Sequence, residues 1–171
     1  MIKLIDGLGI LGRQLKKEIK RWNIHEDKDL IIYHTWNVRD KSESAQIVEY
    51  LKFCSFISST KKKIVFISTS SEKNSHYVEY KQRAEAALLV RGNGVIIRFP
   101  AFVANNNIFM ELRDELKKPE GIIECVTPED ASRFILDDAR FDGKSKIYTY
   151  HGTMIPATVV KKILDIGGEK G

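Results

Sequence analysis

Only two cysteines, Cys54 and Cys125, occur in the 171 residues. Both sit in ordinary apolar settings without paired spacing, which argues against a disulfide framework or a zinc ribbon and points to a reducing compartment. Long hydrophobic runs are also missing. Runs such as Ile64–Ile67 and Val95–Ile97 fall far short of the ~18 residues that span a bilayer. No apolar stretch follows Met1 as a secretory leader would, so a soluble, cytoplasmic protein is expected. Proline is scarce at 4 residues and glycine stands at 11, so neither a collagen-like nor a low-complexity chain fits. The histidines His25, His34, His76 and His151 lack the paired spacing of metal ligands, and no metal is expected.

What the chain does have is 43% apolar and 30% charged residues, the balance of a folded domain. At roughly 150 residues per domain the length suits one domain, residues 1–171. The net charge of +5, from 28 basic and 23 acidic residues, is spread along the chain and suits an anionic ligand or none in particular. Lys61, Lys62 and Lys63 form the one basic run, and they read as the solvated flank of a strand. Neither nucleic acid nor membrane is expected as a partner.

Apolar spacing alternates between strand and helix from end to end. Ile2–Ile5 reads as a strand, followed by a glycine turn and a helix carrying Leu15, Ile19 and Trp22. Leu30–Tyr33 is a buried-type strand, and from Ser42 the residues Ala45, Ile47, Val48, Leu51 and Cys54 keep a helical rhythm. Lys63–Ile67 is the next strand, ended by Ser68–Ser71, and a helix over Tyr77–Val90 is closed by Gly92-Asn93-Gly94. Val95–Ile97 follows. A polar loop at Asn105–Asn107, a helix over about Ile108–Lys117, a turn at Pro119–Gly121 and a strand at Ile122–Val126 come next. Thr127 then caps a helix running to about Ala139. Ile147–Tyr150 and Ala157–Ile166 supply the last strand and helix. The pattern predicts a Rossmann-like three-layer α/β fold around a mostly parallel sheet, with right-handed crossovers.

Two constellations carry chemistry. Gly7-x-Gly9-x-x-Gly12 stands between a strand and a helix, where glycines permit a tight turn, backbone approach to a pyrophosphate, and close helix packing. The same glycines also suit a plain strand–helix turn without a ligand. No acid ends the second strand to take ribose hydroxyls; Leu30–Tyr33 runs into His34, Thr35 and Trp36. Arg39 is placed either to face a 2′-phosphate or to stay on the surface beside Asp40.

The second constellation is Tyr77 and Lys81, at i and i+4 on one helix face. A phenol titrates near 10 when free, and a neighbouring ammonium favours the phenolate and draws it toward neutral pH. Ser68, Thr69 and Ser70 end a strand of the same sheet and can offer a hydroxyl to a carbonyl that Tyr77 also contacts. A lysine snorkelling beside a half-buried tyrosine is the plainer alternative.

Together and in this order, these residues resemble the short-chain dehydrogenases/reductases in their extended, sugar-nucleotide-modifying branch. Further segments are similar to that branch: Asp29–His34, Val65–Ser70, Tyr77-x-x-x-Lys81-x-x-x-Glu85, Val95–Pro100 and Val126–Asp130. The nearest relatives by this reading are dTDP-4-dehydrorhamnose reductases and nucleotide-sugar epimerases. The resemblance implies NAD or NADP held by Gly7, Gly9, Ile10, Leu11, Gly12, Thr35, Lys81, Arg98 and Pro100. It implies Tyr77 as general acid/base, Lys81 as the group that tunes it and grips the nicotinamide ribose, and Ser70 or Thr69 steadying a substrate carbonyl. The substrate would be a nucleotide-linked sugar, with residues 101–135 as a small cap and a homo-oligomer as a possible assembly. The alternative is an inactive Rossmann scaffold that binds a nucleotide or a partner subunit.

The chain is short for this branch. If Asp29–His34 matches the fourth strand, the second and third, which build the adenine pocket, are absent. Six residues separate Ser70 from Tyr77, a short loop for the branch, and Trp36 stands where small residues are common. The redox reading requires the Tyr77 and Lys81 heads to share the crevice that the glycines border, with no indole filling it.

Overall fold

The structure, a computed structural model, describes residues 2–5, 9–22, 29–103, 121–138, 145–159 and 162. Gly7, the Asn105–Asn107 loop, the helix expected over 108–117 and most of the last expected helix lie outside these. In chain order the elements are β1 (Lys3–Leu4), α1 (Ile10–Arg21), β2 (Leu30–Tyr33), α2 (Glu43–Ser58), β3 (Lys63–Thr69) and α3 (His76–Arg91). They continue with β4 (Gly94–Phe99), β5 (Ala101–Phe102), β6 (Ile122–Val126), α4 (Pro128–Asp138), β7 (Lys146–Thr149) and β8 (Thr153–Pro156).

Local chemistry sets the boundaries. Ser42 and Ser75 sit in extended backbone ahead of α2 and α3 and accept from the Ala45 and Val78 amides, relieving orphan donors of the first turn. Thr127 Oγ1 accepts from the Asp130 amide at 3.1 Å and donates to the Asp130 carboxylate at 2.9 Å, capping α4. α3 stops at Gly92, whose φ of 75° suits a residue without a Cβ.

Strands β1-β2-β3-β4-β7 form one parallel sheet in that order. Alternate residues serve opposite faces. Leu30, Ile32, Val65, Ile67, Val95 and Ile97 join Leu15 of α1 and Ala131 and Ile135 of α4. Tyr33, Ile64, Phe66 and Ile96 join Phe53 and Ile57 of α2 and Ala84 and Leu88 of α3. Both faces are covered, so the strands read as continuous apolar runs.

Two features bear on function. β1 is the outermost strand, whereas in the usual dinucleotide-binding order the first strand lies inside the sheet and the order reverses beside it. Among the described residues no strand flanks β1 on its outer side, as expected if the second and third strands are absent. The crossovers, however, depart from the expected uniform right-handedness. β1–α1–β2 and β2–α2–β3 step in the same direction across the sheet, yet α1 and α2 lie on opposite faces, so the two crossovers have opposite hands. The preference for one hand reflects strand twist; here packing of α1 against α4 holds α1 on the far face.

A second sheet, β5-β6-β8, has β5 parallel and β8 antiparallel to β6. The chain passes between sheets at Pro100 and again near Gly152. A Cβ at Gly152 would lie 2.1 Å from the Cys125 carbonyl oxygen, so only glycine permits this approach.

Candidate functional site

The first constellation begins with α1. Gly9, exposed and in extended backbone, is its N-cap; no acidic residue occupies the first turn, and a Cβ at Gly9 would meet nothing within 4 Å among the described residues. Among the described residues neither a side-chain cap nor a carboxylate offsets the amides at the helix terminus. Ile10 and Leu11 are half-buried and Gly12 is buried against the sheet.

The second constellation lies across the end of β3. Ser68 is 4% exposed, and its hydroxyl and His34 Nε2 are the buried side-chain polar atoms without a hydrogen-bond partner among the described residues. Thr69 and Ser70 are half-buried; Thr69 Oγ1 accepts from the Ser71 amide at 3.1 Å, and the Ser70 amide donates to Phe99 O at 2.9 Å. Tyr77 is half-buried on the first turn of α3. Lys81, one turn on, is 5% exposed, donates from Nζ to Ile67 O at 2.7 Å, and lies 5.5 Å from the Tyr77 ring centre. The amine thus stands beside the Tyr77 ring.

Other neighbours join them, among them the indole whose presence the sequence left open. The Lys81 Nζ also lies 5.4 Å from the Trp36 ring centre and 5.3 Å from that of Phe66. The indole Nε1 donates to Gln46 Oε1 at 2.7 Å. Gln46, 0% exposed, uses its other end to donate to Asn37 O and Asp40 O at 3.0 and 2.6 Å. Burial pulls the Lys81 amine down to about 7, against the opposing charges of Glu85 and Glu49. Glu85 is 3% exposed and accepts a forked pair of bonds from Arg98, Nε at 3.0 Å and Nη2 to the second oxygen. The carboxylate holds the Arg98 guanidinium above its ordinary range. Arg98 therefore faces α3 through Glu85. Pro100 is buried at the junction of the two sheets, and Thr35 is half-buried after β2.

Gln46 carried a signal that was passed over: it shares the inward stripe of α2 with Phe53 and Ile57, where an unpaired amide would be costly. Gly9 and the start of α1 follow β1, whereas the Tyr77 site follows β3. β2 lies between β1 and β3, a distance of about 10 Å across two strand spacings.

No protein-family model and no curated protein matches the sequence. Solved structures do match in fold, and they are epimerases and reductases of the extended short-chain dehydrogenase/reductase kind. The UDP-N-acetylglucosamine 4-epimerase of Bacillus cereus aligns at TM-score 0.71 and 15% identity over 98% of this chain and 84% of its own. A dTDP-4-dehydrorhamnose reductase of Clostridium acetobutylicum aligns at 0.69 and 16% over 98% and 81%. RMD of Pseudomonas aeruginosa, solved with NADPH, aligns at 0.71 and 11% over 96% and 83%. At such identities the likeness is one of fold, the Rossmann-like α/β fold expected from the alternation, in a shorter chain.

A dinucleotide fits these residues in part. The uncapped start of α1 suits a pyrophosphate. Lys81 does not suit the ribose, because its amine is turned to a main-chain carbonyl and walled by three rings. Nor do the described residues on the outer side of β1 supply a wall for an adenine. Among the described residues no helix is long and apolar enough to cross a membrane.

Proposed function

We propose that this chain is an NAD(P)-dependent oxidoreductase or epimerase/dehydratase of a nucleotide-linked sugar, in which Tyr77 carries the proton. The observation behind it is the Lys81 ammonium 5.5 Å from the Tyr77 ring at the end of β3, beside the Thr69 and Ser70 hydroxyls. The names of the fold neighbours, and the NADPH bound to one of them, support the choice of cofactor and substrate class. When bound, the nicotinamide supplies the hydride chemistry. The protein's part is to exchange a proton between the phenol and a sugar oxygen, to steady that oxygen with Thr69 or Ser70, and to favour the phenolate with Lys81. The segment 101–135, proposed as a small cap, includes the start of α4, whose Ala131 and Ile135 pack on the main sheet instead.

Titration with NADH and NADPH, followed by nicotinamide fluorescence, tests this reading. Saturable micromolar binding that Gly9→Asp removes is the expected result. A second reading, an inactive scaffold that binds a nucleotide or a partner subunit, is favoured by the outermost position of β1 and the indole over Lys81. Absence of binding at millimolar cofactor selects it.

A further inference from the structure

The resemblance assigns Lys81 two tasks, tuning Tyr77 and gripping a ribose, and the geometry separates them. One acceptor, Ile67 O at 2.7 Å, takes the amine, and the rings of Trp36, Phe66 and Tyr77 stand 5.3 to 5.5 Å from Nζ. The wall contributed by Trp36 is fixed rather than swinging. Its Nε1 is bonded to Gln46, and Gln46 is committed at its other end to Asn37 O and Asp40 O, so loop and indole move only together. Turning the indole out would leave the buried Gln46 oxygen unpaired, a penalised arrangement.

Building on the function proposed above, we propose that Trp36, pinned by Gln46, is a positioning residue that closes the Lys81 amine off from ligand. Lys81 then acts on Tyr77 through space and takes no part in holding a cofactor ribose. Aromatic faces attract the ammonium while exclusion of water disfavours it. The charged groups acting on it are Glu85, further along α3 and bonded to Arg98 of β4, and Glu49 of α2. Burial outweighs both carboxylates, leaving the amine poised at about 7.

Lysine labelled with carbon-13 and nitrogen-15 lets the Lys81 side-chain resonances be followed against pH, assigned by their loss in Lys81→Met. A wild-type midpoint near 7 is expected. Trp36→Ala should raise it by at least about one unit toward the ordinary lysine value of about 10.4, whereas Trp36→Phe, which keeps a ring, should hold it near wild type. Gln46→Leu, which keeps the indole but unpins it, should raise the midpoint by less; it serves if Trp36→Ala does not fold. An ordinary wild-type midpoint, or variants that all titrate with wild type, overturns the proposal. In the binding arm, Lys81→Met should keep its NADPH affinity within about twofold, and a tenfold loss also overturns it. If wild type binds neither cofactor, the redox reading fails while the titration still decides the cage.

Discussion

The two halves of the sheet are built to different standards. Around β3, β4 and α3 three buried polar head groups are each constrained by a partner: Lys81 on Ile67 O, Glu85 on Arg98, and Gln46 on an indole and two carbonyls. Around β1 and α1 the strand is two residues long, the helix starts at a glycine without a side-chain cap, and no strand flanks β1 on its outer side among the described residues. The contrast teaches that the half carrying Tyr77 and Lys81 is held by directed side-chain bonds, while the half expected to hold a dinucleotide rests on helix amides and glycines.

The largest expected effect breaks the comparison on its stronger side. Tyr77→Phe should lower kcat about 10²- to 10⁴-fold while cofactor affinity stays nearly constant, measured by steady-state kinetics and fluorescence titration; unchanged turnover removes Tyr77 from the mechanism. Arg98→Met strands the Glu85 carboxylate in the interior and should cost about 3 kcal/mol in urea unfolding at neutral pH. A loss below about 1 kcal/mol would mean that solvent, through the part-exposed Arg98, already satisfies that carboxylate.

Lys81→Met should act in the opposite direction on stability. The folded amine titrates at about 7, below its unfolded value, so the unfolded chain binds more protons between the two. Stability from this group is complete above about pH 10.4, is lost as pH falls toward 7, and stays lost below. The methionine variant should therefore exceed wild type by about 2 kcal/mol at pH 6, with the gap shrinking by pH 10. A gap independent of pH contradicts the assigned burial. The smallest effect sharpens the weaker half: Gly9→Asp should abolish cofactor binding yet leave stability unchanged or raised by up to about 1 kcal/mol, since a carboxylate suits an uncapped helix start. Retained binding with the aspartate in place would separate the α1 terminus from the ligand.

Much of this fold was legible because local signals and burial agreed. Leu30–Tyr33 occupies the expected strand, and the helix expected over Tyr77–Val90 spans His76–Arg91. The Thr127 cap starts α4 as its residue order implied. β5 and β8 went unseen because one is two residues long and the other ends in proline, leaving no period to count. The hand of the first crossover lay beyond reach, since alternation of elements says nothing of which face a helix takes. At the site, spacing alone brought Tyr77 and Lys81 together. The burial of Glu85 depended on Arg98 arriving from another strand, and the cover over Lys81 depended on Gln46 turning an indole visible in the sequence only as bulk.

Among the described residues β1 has a hydrogen-bonded neighbour on one side alone, so its other side is open to a further strand. A strand–helix–strand graft joined between α1 and β2 would dock there without altering the registers from β2 to β7, which do not involve β1. The molecule is thus a chassis to which an adenine-binding module can be added, with affinity gained measured against an unchanged Tyr77–Lys81 pair.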